Sequence, residues 1–532
     1  MAADISPQIQ AMRKGRLDEI DMATPDVHSV AMKIQRAREV YGVIEEKPTN
    51  VEVLLWYLYE LCSYFVHTVL IPIVFPLIIS QTVSDPPEPQ QGWFRSFKDL
   101  NCSKNQMQIY EGLVHRAINV GDMSFSPLEW TSISWITGLI LSTPLLGLVS
   151  ISLDYGHSQQ LIAAAATGIG TLFCLPAGFL KKPWIFPPYV AAIVAASTVV
   201  GASHARHLGL MISGFTGSAI PKRHFSERRS FGSWLSLHST AAGCLGAAII
   251  ASFTSHMLKR SDHFTALWII SIFSGLKWGL GMIHIFSTSR AAASFVEPSL
   301  PHSNPVAHLV SIFKYPHAVG SLLGVFLSSF TAMCVFGGGL LYAIGYICVE
   351  RESVLYLWLM YFLLPFVSLP LTYPLQQFLK LDAEKMQLLG FLLSVFTSGF
   401  GFYYRSDVWS KGHLLFFAAV QGTAAGLLHA FGRVLWLDCS PKGREGAFSV
   451  WFSWARAVGA CAGFGLATAM PGAIGKTFGA SFCAGIGGMM VVIFGNVSSL
   501  RGAEEAGHII MSENGSPMHD DLDDHFKGKD QV

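Results

Sequence analysis

Charge is scarce in this sequence. Asp, Glu, Lys and Arg make up 13% of its 532 residues, against 51% hydrophobic ones, whereas a soluble globular chain carries about 25% charge to cover its surface. That deficit excludes a water-soluble fold of this length. An excess of either sign is also missing, with 36 Lys and Arg against 35 Asp and Glu, so there is no basic face and no nucleic-acid partner is expected. Nearly all of the nine cysteines fall inside apolar runs, Cys102 is the only one in a long polar loop before the last third, and no Cys-x-x-Cys occurs. A disulfide scaffold is therefore excluded. Also missing are the Gly-x-x-x-x-Gly-Lys-Ser/Thr nucleotide loop, a His-Glu-x-x-His helix, a nucleophile elbow and a paired-cysteine metal site, so neither enzyme chemistry, a cofactor nor a metal is expected. The first twenty residues contain no apolar core of a signal peptide, which leaves the first hydrophobic span as the targeting signal.

Long apolar blocks fill the middle of the chain. A membrane-spanning helix needs roughly 20 mainly apolar residues, and such runs occur at 53–80, 130–153, 159–180, 184–213, 233–257, 265–288, 317–348, 353–375, 387–404, 412–436, 447–470 and 478–498. The expectation is an all-α polytopic membrane protein of twelve spans, embedded in a lipid bilayer. Polar residues 289–316 divide the runs six and six as a central cytosolic loop, residues 1–52 form a cytosolic N-terminal tail, and 499–532 form a disordered acidic C-terminal tail. With both termini cytosolic, the inner segments hold 20 Lys and Arg and the outer loops 12, in the sense of the positive-inside rule. The outer loop 82–129 also carries Asn101-Cys102-Ser103, a glycosylation sequon usable only on the lumenal or extracellular side.

Two span ends look alike. Pro144 to Gly147 leads into Ser150-Ile-Ser-Leu-Asp154-Tyr-Gly156-His157, and Pro370 to Pro374 leads into Gln376-Gln377 and Asp382. Both run from a proline-containing span into a short polar cytosolic loop with an aspartate. This layout resembles the major facilitator superfamily, whose halves are pseudo-repeats with the solute site between them. The Asp154-Tyr155-Gly156 turn, the long first loop and the segment Asp438-Cys-Ser-Pro441-Lys442-Gly443-Arg444-Glu445 are similar to the autophagy-related vacuolar amino-acid effluxers. The resemblance implies bundles at 53–288 and 317–498, a gating loop in which Asp154, Gly156 and Asp382 cap a neighbouring helix and latch the halves, a vacuolar membrane, and efflux of a small solute such as an amino acid by alternating access. Ser150 and the run His157-Ser158-Gln159-Gln160 replace the glycine and basic residues usual there. That loss leaves open a transporter-like protein that serves as a scaffold or receptor instead.

Ionisable groups inside spans are costly and mark candidate sites for solute or protons. Glu60 and His67 are seven residues apart, on one helical face and about 10 Å apart along the axis, as a proton-accepting carboxylate with a titratable neighbour would be; the other reading puts Glu60 at the boundary, facing water. Lys277, near the centre of its span, is expected to pair with a carboxylate such as Glu60, to bind a solute anion or to face a wet cavity. Arg456 lies beside Gly459 and Gly463 and either snorkels to the cytosolic surface or lies on a packed face. Gln421 and His429 share a span with Arg433, which is expected to contact head groups or Asp438. His204, Arg206 and His207 are expected to mark the cytosolic end of a long fourth span.

Overall fold

The computed structural model describes residues 47–88, 90, 92, 94–95, 100–155, 159–179, 181–217, 220–260, 263–286, 305–407, 409–495 and 497–510. Gly156 lies outside them, as do most of the N-terminal tail and the acidic end of the chain.

Helices account for nearly all of it. α1 (Asn50–Ser63) starts at Thr49, whose hydroxyl accepts the Glu52 amide at 3.2 Å, and continues through a π-helical stretch, Val66–Val74, into α2 (Phe75–Ser80). Pro72 inside that stretch explains the widening, because it has no N–H to donate and its ring pushes away the carbonyl four residues back. α3 (Lys104–Val114) and the hairpin β1 (Ile118–Val120) and β2 (Met123–Phe125) occupy the first loop. The first half of the chain, up to residue 286, continues with α4 (Pro127–Tyr155), α5 (Gln159–Cys174), α6 (Phe186–Thr216), α7 (Phe225–Arg260) and α8 (His263–Leu280). The second half, from 305, holds the short α9 (Pro305–Val310), then α10 (Pro316–Gly345), α11 (Arg351–Leu379), α12 (Ala383–Tyr403), α13 (Lys411–Asp438), α14 (Glu445–Ala469) and α15 (Ile474–Phe494). Ten of these helical stretches are long and apolar enough to cross a membrane. The protein is thus an all-α polytopic membrane protein. α5, at 16 residues, falls short in length, and α14, with 25, is diluted by Ser, Gly and Arg456.

Contacts between the halves are paired. α4 and α6 lie against α14, while α7 lies against α11 and α13.

Two expectations need correction. The apolar run read as 317–348 ends as a helix at Gly345, which releases Cys348 into a loop, where it forms a disulfide with Cys102 across 246 residues. Gln106 of α3 donates to the Val349 carbonyl at 2.8 Å beside it. Disulfides persist in oxidising compartments, so this face is lumenal or extracellular, the side on which the Asn101 sequon is usable. Because the bond joins the two halves, a protease site placed between 289 and 304 is expected to yield fragments that run as one species without reductant and as two with it. Two fragments on a non-reducing gel would remove the bond.

The C-terminal segment is the second correction. Residues 499–510, assigned to a disordered tail, form α16 (Ser499–Glu505) and β4 (Ile509–Ile510), which pairs in parallel with β3 (Ile220–Pro221). Ile509 and Ala503 bury against Ile220 and Phe225, so this stretch has the apolar side chains to dock. The acidic residues that suggested disorder begin at Asp520, beyond the described segment.

Candidate functional site

Glu60 is the centre of a buried polar cluster. Only 4% of it is exposed, and an ionised carboxylate in that setting needs a compensating charge and several donors. Three side chains from two helices supply them. His204 of α6 brings Nε2 to 2.8 Å from Oε2, and His429 of α13 brings Nε2 to 3.3 Å from Oε1. Arg433, one turn further along α13, holds Nη1 at 3.6 Å from Oε2. Its remaining donors are anchored on α7: Nε donates to Ser236 Oγ at 3.1 Å, and Nη2 to the Ser236 carbonyl at 3.3 Å and to Thr240 Oγ1 at 3.1 Å. Trp56 lies under the guanidinium, 5.3 Å from its centre, and stacks on His204. A first-half carboxylate is thus paired with a second-half guanidinium.

Arg456 of α14 shares the cavity without sharing the pairing. Its guanidinium lies 5.7 Å from the Tyr64 ring centre, and among the described residues no carboxylate is within ion-pair distance of it. A small cavity of about 50 Å³ is lined by Glu60, Tyr64, His67, His204, Arg433 and Arg456. A second, of about 80 Å³, shares Tyr64, His67 and Arg456 with it and reaches Phe336. Phe336 also lines a wide cavity of about 680 Å³ between the halves, bordered by Leu340 and Thr468 and reaching Asn101 and Gln106 on the disulfide side. Neighbouring cavities that share lining residues thus lie between the disulfide face and the Arg456 and Glu60 site.

Beyond Glu60 the way is closed. Asp154, at the end of α4, accepts the Gly446 amide at 2.5 Å and the Ala447 amide at 3.0 Å, capping the first turn of α14, and His308 of α9 stands 2.8 Å away. The positive end of a helix favours such an anion. Arg206 adds a contact to Glu445 at 3.7 Å. On the other flank Arg229 pairs with Asp382, and Arg228 lies 3.4 Å from Asp438, which also accepts from Ser499. Each aspartate loop thus meets the start of a helix in the opposite half.

The remaining candidates make other contacts. His67 lines the Glu60 cavity but hydrogen-bonds Ser197 at 2.9 Å rather than sharing a partner with Glu60. Gln421 bridges Ser394 and Thr397 of α12 and touches nothing in the cluster. Lys277 donates to the Gly246 carbonyl at 2.6 Å and sits 4.6 Å from the Phe65 ring centre, with no carboxylate in ion-pair reach among the described residues. It joins α8 to α7 at Gly246, which also lets α7 approach α1: a Cβ there would meet the Leu61 carbonyl oxygen at 1.9 Å. Lys277→Met removes a membrane-buried charge costing about 2.5 to 3.5 kcal/mol on insertion scales and gives up a charged hydrogen bond of about 1.5 to 3 kcal/mol. These nearly cancel, so the yield of folded protein is expected to stay within about fivefold of wild type, as fluorescence-detected gel filtration would read it. A collapse in yield would reveal a carboxylate partner.

Sequence reasoning misjudged Arg433 and the His204 cluster. The apolar run was ended at 436 and so left Arg433 near water, but α13 continues to Asp438 and only 2% of Arg433 is exposed. His204, Arg206 and His207 lie inside a continuous α6, with Thr216 as its last residue. The i, i+4 pair His429 and Arg433 on one face was the available signal. No protein-family model matches the chain, and comparison with curated proteins finds no match.

Proposed function

We propose that the protein is a secondary transporter of the major facilitator type, moving a small solute such as an amino acid between the lumen of a vacuole-like organelle and the cytosol by alternating access. The observation that carries this reading is the path itself: a wide cavity between the halves, open on the disulfide side, narrows past Phe336 to the Arg456 and Glu60 cavities and stops at the Asp154 cap. Paired contacts of α4 with α14 and of α7 with α11 suit two pseudo-repeats that rock about a midplane site. Arg456, a guanidinium with no carboxylate neighbour among the described residues, suits an anionic group on the solute, and a carboxylate matches its fork of donors.

Two measurements test this. Purified protein in vesicles is expected to give saturable counterflow of labelled amino acids. A cysteine at Leu340, on the wall of the wide cavity, is expected to react with a hydrophilic maleimide from the lumenal side, above the background of the native thiols, and to be protected by the transported solute. A reactive, unprotected Leu340→Cys with no counterflow of any amino acid, sugar or nucleoside would favour the scaffold or receptor reading instead.

A further inference from the structure

The polar groups around Glu60 do not end at His204. His204 is more than nine-tenths buried, and although its Nε2 lies 2.8 Å from Glu60, neither ring nitrogen makes a hydrogen bond of normal geometry among the described residues. A small cavity of about 20 Å³ is bordered by His204, His207, His284, Gln160 and Tyr59. A buried water needs about 10 to 15 Å³ and two or more polar partners, so the space fits one water among imidazoles and an amide. The His204 and His284 ring centres are 6.4 Å apart, and those of His284 and His207 are 5.1 Å apart. The Nε2 of His207 lies 3.1 Å from Glu52 Oε1. Glu52 is in the first turn of α1, on the cytosolic side of Glu60 by eight residues, or about 12 Å of helix.

We propose that these groups form a proton path through the first half, from Glu60 by way of His204, one water, His284 and His207 to Glu52. Imidazole suits the task because one ring nitrogen takes up a proton while the other releases one. For each proton that reaches Glu60, one is handed on to Glu52, which is buried at the start of α1 and releases it when that end is exposed to water, and the relay groups end as they began. The path passes inside the first half at the level of the Asp154 cap, so protons cross where the solute route is closed. This goes beyond the transport reading, because the conduction does not depend on a solute.

Several charged groups face the path among the described residues. From α13, His429 and Arg433 face Glu60, and the Arg433 charge also acts on His204. From α14, Arg456 borders the Glu60 cavity and Glu445 engages Arg206, whose Nε also donates to the Leu153 carbonyl. From α5, Gln159 and Gln160 are neutral, and Lys277 of α8 is turned to Gly246 and Phe65. Within α1, Tyr59 hydrogen-bonds Thr167 at 3.1 Å.

The test is proton entry into vesicles holding the purified full chain and a pH-sensitive dye, driven by a potassium gradient with valinomycin and with no solute present. The wild type is expected to acidify the lumen well above protein-free vesicles. His284→Gln and Glu52→Gln are each expected to lower that rate by about tenfold or more, because neither amide can take up and release a proton in relay. Counterflow of labelled amino acids at equal pH, measured on the same samples, is expected to stay within about twofold for His284→Gln, whose side chain does not line the Arg456 cavity. Wild-type entry no faster than empty vesicles, or unchanged entry in both variants, overturns the path. Loss of counterflow together with conduction in both variants also overturns it, by making these residues structural. Conduction with no counterflow in the wild type would uphold the path and sink the transport reading.

Discussion

Arg433→Leu is expected to leave little folded protein in the membrane. The guanidinium is the nearest full positive charge to Glu60, at 3.6 Å, and both side chains are almost entirely buried. Removing one partner of such a pair strands the other charge and costs about 3 to 5 kcal/mol, a large part of the roughly 5 to 15 kcal/mol that holds a typical protein folded. Leucine also abandons the Ser236 and Thr240 acceptors on α7. Glu60→Gln is the milder change, since the amide keeps one oxygen for His204 or His429 and leaves Arg433 its three contacts on α7. It is expected to cost about 1 to 3 kcal/mol, the range for an imperfectly satisfied buried group. The double variant Glu60→Gln with Arg433→Leu contains no stranded charge and should recover much of the yield lost by Arg433→Leu alone. Gel filtration of solubilised protein and its Tm read all three. An Arg433→Leu variant that melts with the wild type would mean that Glu60 carries no charge needing compensation.

The sequence shows where the helices lie more readily than how they are turned. Apolar runs of about 20 residues mark depth in the membrane, and α4, α7 and α10 start within eight residues of where the runs begin. Pairing is a matter of rotation about each axis and of which helix comes alongside, and neither is contained in local hydropathy. Glu60 meets His204 and Arg433 from helices far along the chain, and the π-helical stretch after Ser63 shifts the phase of every later residue in that span. Cys348 escaped notice for a related reason: hydropathy carried the helix through Tyr346 and Ile347, while the backbone turns at Cys348 to a φ of +56°. The aspartate loops were readable as positions, by resemblance. Their partners, the α14 amides for Asp154 and Arg229 for Asp382, come from the opposite half and are seen only in three dimensions.

Gly446→Ala is expected to open the cytosolic side. A Cβ at that position would lie 2.6 Å from the Leu153 carbonyl carbon and 2.7 Å from both the Asp154 amide nitrogen and Asp154 Oδ1. Two of these contacts are backbone, so α4 and α14 must separate rather than a side chain swing aside. Overpacking of this kind costs about 1 to 3 kcal/mol, and separation weakens two hydrogen bonds to a carboxylate, each worth about 1.5 to 3 kcal/mol. On the alternating-access reading proposed above, the cap exists only while the cytosolic side is closed, so the cost falls on that state. A net penalty of about 3 kcal/mol shifts the balance toward the cytosol-open form by roughly a hundredfold. The Arg206, Arg228 and Arg229 contacts remain, so the protein should still fold to near wild-type amounts. In the Leu340→Cys background, labelling from the lumenal side should slow in proportion to the lumen-open fraction, from about twofold up to that full factor according to how far the wild type favours the lumen-open form. Asp154→Ala should slow it too, and the two changes together should act by less than the product of their separate effects, since each removes the same two hydrogen bonds. Labelling at the wild-type rate in both single variants would show that the cap does not decide which side is open, and would shift that role to the Arg228 and Arg229 pairs on the opposite flank.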